Sequence, residues 1–159
     1  VMIYVLYAFR RLEKSYRFAF SAVLTLIHDV VLVTGIYALL GHIFGLQVNS
    51  VFIVALLTVI GYSVNDTIVI FDRIRENQIK FPDNKYSSNI NISINESIIR
   101  SLGTSITTLL VLFSMLILGG STLREFIVVL ILGVVVGTYS SIFIASQFLI
   151  IWEEGIKKD

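Results

Sequence analysis

The chain has no cysteine. That excludes a disulfide framework, a thiolate metal site and a cysteine nucleophile. Charge is scarce, with 14% of residues charged and a formal net charge of +1, so bulk electrostatics point to no nucleic-acid partner. The one proline, Pro82, lies in a polar stretch outside every apolar run. There is no P-loop, no glycine-rich phosphate cradle and no nucleophile elbow. ATP hydrolysis is therefore not expected, the chain is not read as an enzyme, and no organic cofactor is implied. Any energy it uses has to come from an ion gradient or a partner. His28 and His42 have neither HxxxH nor HExxH spacing and form no metal set with the scattered acids.

What the sequence has is apolar length. Of its 159 residues, 56% are hydrophobic and the mean hydropathy is +0.88, well above a soluble domain. Phe18–Gly41 and Val48–Phe71 are runs of 24 residues, Leu102–Leu118 of 17 and Phe126–Ile151 of 26. Each is about long enough to cross a bilayer as a helix. Their length and lack of period-two alternation argue against strands. Val1–Phe9 is also apolar, but nine helical residues reach only ~14 Å, half of a ~30 Å hydrocarbon core. It reads as the end of a span begun upstream rather than as a signal peptide. The fold class is all-α: a polytopic membrane helix bundle and single transmembrane domain over 1–159. It has four complete spans at about 18–41, 48–71, 94–118 and 126–151, plus the C-terminal half of a fifth at 1–9.

Eleven of the twelve Lys and Arg residues fall in alternate loops that share one side, and Arg124 alone is opposite. This positive-inside pattern makes the 10–17 loop, the 72–100 stretch and the C-terminus cytoplasmic. Ser93-Ile-Asn-Glu96 matches a capping box, which predicts that the third complete span starts at about Ile94 after a long polar loop, with its first turns at the interface.

The four complete apolar runs hold two acids, Asp29 and Asp66, and one histidine, His28. A carboxylate at mid-bilayer costs about 2.5–3.5 kcal/mol on insertion scales, so an ionisable group there is by default a functional-site hypothesis. Burial favours its neutral form and an opposite charge its ionised form. A group poised between the two can bind and release protons. Asp66 lies six residues before Asp72, and Arg100 lies at a similar depth on the antiparallel next span if that helix starts near Ile94. The spacing points to a switchable Asp66–Arg100 pair, with a static contact or an Arg100 that snorkels to headgroups as the alternatives. His28 and Asp29 sit near a midplane as a relay or water-wire pair, or as interhelical hydrogen-bonding groups. Ser63, Asn65 and Thr67, with Tyr62, crowd around Asp66 and would line a hydrated path or satisfy its carboxylate. Ser101, Thr104, Ser105, Thr107 and Thr108 give the third span a polar flank beside Arg100. Gly133, Gly137, Ser141 and Ala145 recur every four residues as a small-residue ridge that lets another helix approach closely, and Gly103 offers the same on the third span.

Gly61-Tyr-Ser-Val-Asn-Asp-Thr-Ile-Val-Ile-Phe-Asp-Arg-Ile-Arg-Glu-Asn77 closely resembles the SecF family of protein-export membrane subunits. Leu26-Ile-His-Asp-Val30, Ser93–Thr108 and Gly137–Ala145 resemble the family's other blocks, in the same order. The resemblance implies a proton-driven transporter of the resistance-nodulation-division type. Its Asp66 would be the proton-coupling acid and Arg100 its partner. The bundle would use the proton gradient to assist translocation of unfolded exported polypeptides through the SecYEG channel. It implies SecD as a separate or fused partner, and an upstream span and extracytoplasmic soluble domain absent from this sequence. The membrane would be the bacterial cytoplasmic (inner) membrane or a plastid membrane. Two other functions fit the same residues: a passive assembly subunit, and a proton-driven exporter of lipids or small molecules.

Overall fold

A computed structural model describes residues 15–155. The expected partial span at 1–9, most of the 10–17 loop, and Lys157 and Lys158 lie outside them. Among the described residues every regular element is helical. The elements are α1 (Ser15–Phe44), α2 (Ser50–Lys80), α3 (Tyr86–Leu118), a 3₁₀ turn (Ser121–Leu123) and α4 (Arg124–Ser140). A π-helical segment (Ser141–Ala145) then continues into α5 (Ser146–Gly155). With the short helices run together, four helical rods are long and apolar enough to cross a membrane. The polytopic helical membrane bundle read from the sequence is the fold.

The rods overshoot the apolar runs. α1, α2 and α3 have 30, 31 and 33 residues, or about 45–50 Å at ~1.5 Å per residue, against a hydrocarbon core of ~30 Å. Residues 72–80 and 86–93, expected as loop, are helical, and only 81–85 connect α2 to α3. The capped start at Ile94 is thereby corrected. α3 begins eight residues earlier, after Lys85, with no side-chain cap. Ser93 lies inside the helix and donates to the Asn89 carbonyl at 2.6 Å, and Glu96 is used across the hairpin. Arg73 on α2 pairs with Glu96 at 2.7 Å. Asn77 donates to Ser93 Oγ at 2.9 Å and to Glu96 at 2.7 Å. Near the tip, Asn89 donates to the Phe81 carbonyl at 2.9 Å. These polar pairs let two helices stay paired where the apolar pattern has run out.

At the opposite end the breaks are local. Gly45 closes α1 with φ +73°, a left-handed conformation that suits glycine, and its N–H donates to the Gly41 carbonyl at 2.8 Å. The Asn49 side chain caps α2 by accepting from Phe52 N–H at 3.0 Å and also donates to Glu125 at 2.9 Å. It thus ties the two connections at that end together.

The fourth rod is the central one. More than half of its most apolar window is buried (56%), against 17–33% in the other three. Small residues allow this. A Cβ at Gly133 would collide with the Val59 side chain on α2, and one at Gly137 would lie 3.2 Å from Ser63 Cβ. Gly103 does not serve in this way, because a Cβ there meets nothing within 4 Å. Two larger apolar clusters sit above and below the polar centre. One holds Phe18, Ile70, Phe71, Ile74, Ile90, Ile142 and Leu149, and the other Val33, Tyr37, Phe52, Val59, Val129 and Val136.

Candidate functional site

Between those clusters lies a buried polar seam built from four helices. Its first centre is Asp29 on α1, only 1% exposed. Oδ2 accepts from Ser63 on α2 and from Ser140 at the end of α4, the latter at 2.7 Å. Nδ1 of His28 turns back to lie 3.0 Å from Oδ1. Ser63 therefore serves Asp29, and the expectation that it belongs to Asp66 is corrected. Ser63 is three residues before Asp66, close to one helical turn, and there the α1 carboxylate is nearer.

The second centre is Asp66 on α2, 8% exposed. Its Oδ2 accepts from Ser141 Oγ at 2.5 Å. Ser141, grouped with a packing ridge by its spacing, is thus also a ligand of the carboxylate. It is the first residue of the π segment, and such bulges inside α-helices often occur at functional sites. Ala145, last in that segment, is fully buried, and its carbonyl accepts from Ser21 on α1 at 2.8 Å.

Asp66 and Arg100 line one cavity of about 110 Å³ together with Tyr62, Asn65, Val69, Ser101 and Thr104. The register follows from the hairpin. Asp66 is fourteen residues before Lys80, and Arg100 fourteen after Tyr86, so both stand ~21 Å from their helix ends. The sequence put both closer to their helix ends, because the apolar run stops at Phe71 and the capping pattern points to Ile94, while the helices extend past both. Among the described residues no ion pair joins Asp66 to Arg100, and Ser141 alone hydrogen-bonds the Asp66 carboxylate. Arg100, Asn65 and Thr104 are exposed at the cavity mouth. The Ser101 hydroxyl is buried there without a partner. The space is large enough for water, which needs polar partners of this kind.

Thr67 is buried beside Asp66. The seam continues through Tyr62 Oη to Ser105 Oγ at 3.1 Å and from Ser105 Oγ to Thr138 Oγ1 at 2.5 Å. Thr104 bonds within its own helix, to the Ser101 carbonyl at 2.9 Å. Sequence reasoning missed Ser140, Thr138 and the Arg73–Asn77–Glu96 network. The available signal was the spacing of Asn89, Ser93, Ser97, Ser101 and Ser105, four apart and all buried, which marks one continuous polar face on α3. Among the described residues no three His, Asp or Glu side chains cluster as metal ligands would.

Residues 1–155 match the family model "Protein export membrane protein SecD/SecF, C-terminal". The protein translocase subunit SecF of Thermobaculum terrenum is 45% identical over 150 residues, which is 94% of this chain and 47% of that protein. The subunit SecDF of Thermus thermophilus is 42% identical over 153 residues, 96% of this chain and 20% of that one. A crystal structure of SecDF in a super-membrane-facing form superposes with a TM-score of 0.88 at 41% identity, covering 99% of this chain and 20% of that one. The chain spans about half the length of the SecF relatives it matches, and a fifth of the SecDF ones. With the family model matched over nearly its whole length, the chain belongs to the SecD/SecF family of protein-export membrane proteins.

Proposed function

We propose that this bundle couples the proton gradient to protein export, with Asp66 as the group that takes up and releases the proton and Arg100 as its switchable partner. The supporting observation is the shared cavity. A buried carboxylate and a cation stand at one level on antiparallel helices, across a space wide enough for water. Asp66 keeps one oxygen on Ser141 and turns toward the cavity. Ionised, it attracts Arg100 inward. Protonated, it releases the arginine, and the helices that carry the two groups adjust. A proton crossing ~100 mV delivers ~2.3 kcal/mol, and each pH unit adds ~1.4 kcal/mol. Moving a two-state equilibrium from 1:99 to 99:1 takes ~5.5 kcal/mol, so a few protons suffice. By the names of its relatives, the working assembly includes SecD, fused or separate. The Sec channel and an unfolded polypeptide complete it, in the bacterial cytoplasmic membrane with the α2–α3 hairpin on the cytoplasmic side.

The test is Asp66→Asn in the full-length export complex, reconstituted with the channel. Gradient-dependent stimulation of translocation is expected to disappear while membrane insertion and complex assembly persist. Full stimulation in the variant would rule out the coupling role and leave passive assembly.

A further inference from the structure

Ser140 and Ser141 are adjacent, yet their hydroxyls serve carboxylates on two different helices. Ser140 donates to Asp29 on α1 and Ser141 to Asp66 on α2. Neighbouring residues on a helix point ~100° apart, which lets one rod seated between α1 and α2 address both. The second hydroxyl opens the π segment. A π turn carries an extra residue relative to an α turn. Its reversion to α-helix would rotate everything on one side of it and carry Ser141 off Asp66. α1 holds the segment at both ends: Asp29 takes Ser140 just before it, and Ser21 donates to the carbonyl of Ala145 at its end. Ser63 fixes Asp29 in turn from α2. All of these hydroxyls are at most 1% exposed, so water does not offer an easy substitute.

We propose that Asp29 and Ser140 are a positioning pair for Asp66. They lock the π segment in the register that keeps Ser141 on Asp66, and so set the pH at which Asp66 exchanges its proton. The inference rests on the reading of Asp66 as the group that protonates. Of the titratable and charged side chains on the packed helices, Tyr62 from its own helix and Arg100 from α3 line the cavity with Asp66, while Asp29 and His28 on α1 are linked to it through Ser140 and Ser141. Among the described residues, α4 and the π segment bring only hydroxyls to it. Ser140 is therefore the position to change, because its removal alters no charge.

The experiment is infrared difference spectroscopy on the full-length complex in membranes, following the carbonyl band of protonated Asp66 against pH. The band is identified by its loss in Asp66→Asn. Ser141→Ala removes a donor from the anion, which favours the protonated form, so its midpoint is expected to move up by about one to two pH units. Ser140→Ala is expected to move the midpoint in the same direction although the Ser140 hydroxyl reaches Asp29 and the Gly137 carbonyl but not Asp66. The double variant should move it no further than Ser141→Ala alone, because the two act in series. Ser140→Cys, which keeps a weaker donor at the same position, should give a smaller shift of the same sign, and it answers the question if Ser140→Ala does not assemble. An unmoved midpoint in the Ser140 variants, or shifts that add in the double variant, would overturn the positioning role. If no pH-dependent band is lost in Asp66→Asn, the proton-coupling reading itself falls.

Discussion

Asp29 and Asp66 share one seam but differ in how many groups hold them. Asp29 takes two buried hydroxyls on one oxygen and faces His28 with the other. Asp66 takes one hydroxyl and borders a cavity. A carboxylate held from several sides is a fixed acceptor, whereas one with an open side can exchange a proton with water. Truncation should expose the difference. Asp29→Ala strands two donors in a buried place, at about 1–3 kcal/mol for each unsatisfied group. It should therefore lower the thermal midpoint of the purified complex more than Asp66→Ala, which strands one. Equal losses would mean that the donor count does not describe the site. The acids themselves were legible in the sequence because charge inside an apolar run is conspicuous. The assignment of hydroxyls to acids was not, since Ser63 is nearer in sequence to Asp66 and bonds Asp29. That choice is made by the packing of α1 against α2, which no local spacing encodes.

At the scale of elements, the central rod depends on close approach. Without a hydrophobic force to drive helices together inside lipid, small residues let dispersion contacts accumulate. Gly133→Ala forces a methyl into Val59 and should cost about 1–3 kcal/mol, as overpacking does. Gly103→Ala is the control: it meets open space and should be neutral or gain up to ~1 kcal/mol from helix propensity. Thermal unfolding of the two variants in one detergent separates them. The ridge at 133 and 137 could be read from its period, while Gly103 could not be told from it without knowing which face of α3 is turned away. The π segment was invisible in Ser141–Ala145, because those residues are equally at home in an α-helix. What distinguishes it is tertiary: α1 makes hydrogen bonds to Ser140 just before it and to the Ala145 carbonyl at its end.

For the whole molecule, each apolar run falls within one long helical rod, but the runs underestimate the helices. Phe71 ends the run and Lys80 ends the helix. The difference is held by pairs such as Asn77 with Ser93 and Glu96, which hydropathy scores as loop. Asn77→Ala should therefore raise amide hydrogen exchange across 72–80 and 86–96 and leave the central rod protected. Unchanged exchange there would show that the hairpin needs no polar seam. Family membership was legible because four motif blocks occur in order, independently of any of these boundaries.

The straightness of that hairpin has a mechanical meaning. α2 and α3 each run uninterrupted for fourteen residues from the level of Asp66 and Arg100 to the 81–85 connection. Such a paired rod acts as a lever arm: a ten-degree tilt at that level would move a tip ~21 Å away by roughly 4 Å. A rearrangement the size of one side chain at that level would in this way reach the 81–85 connection as a displacement of several ångström.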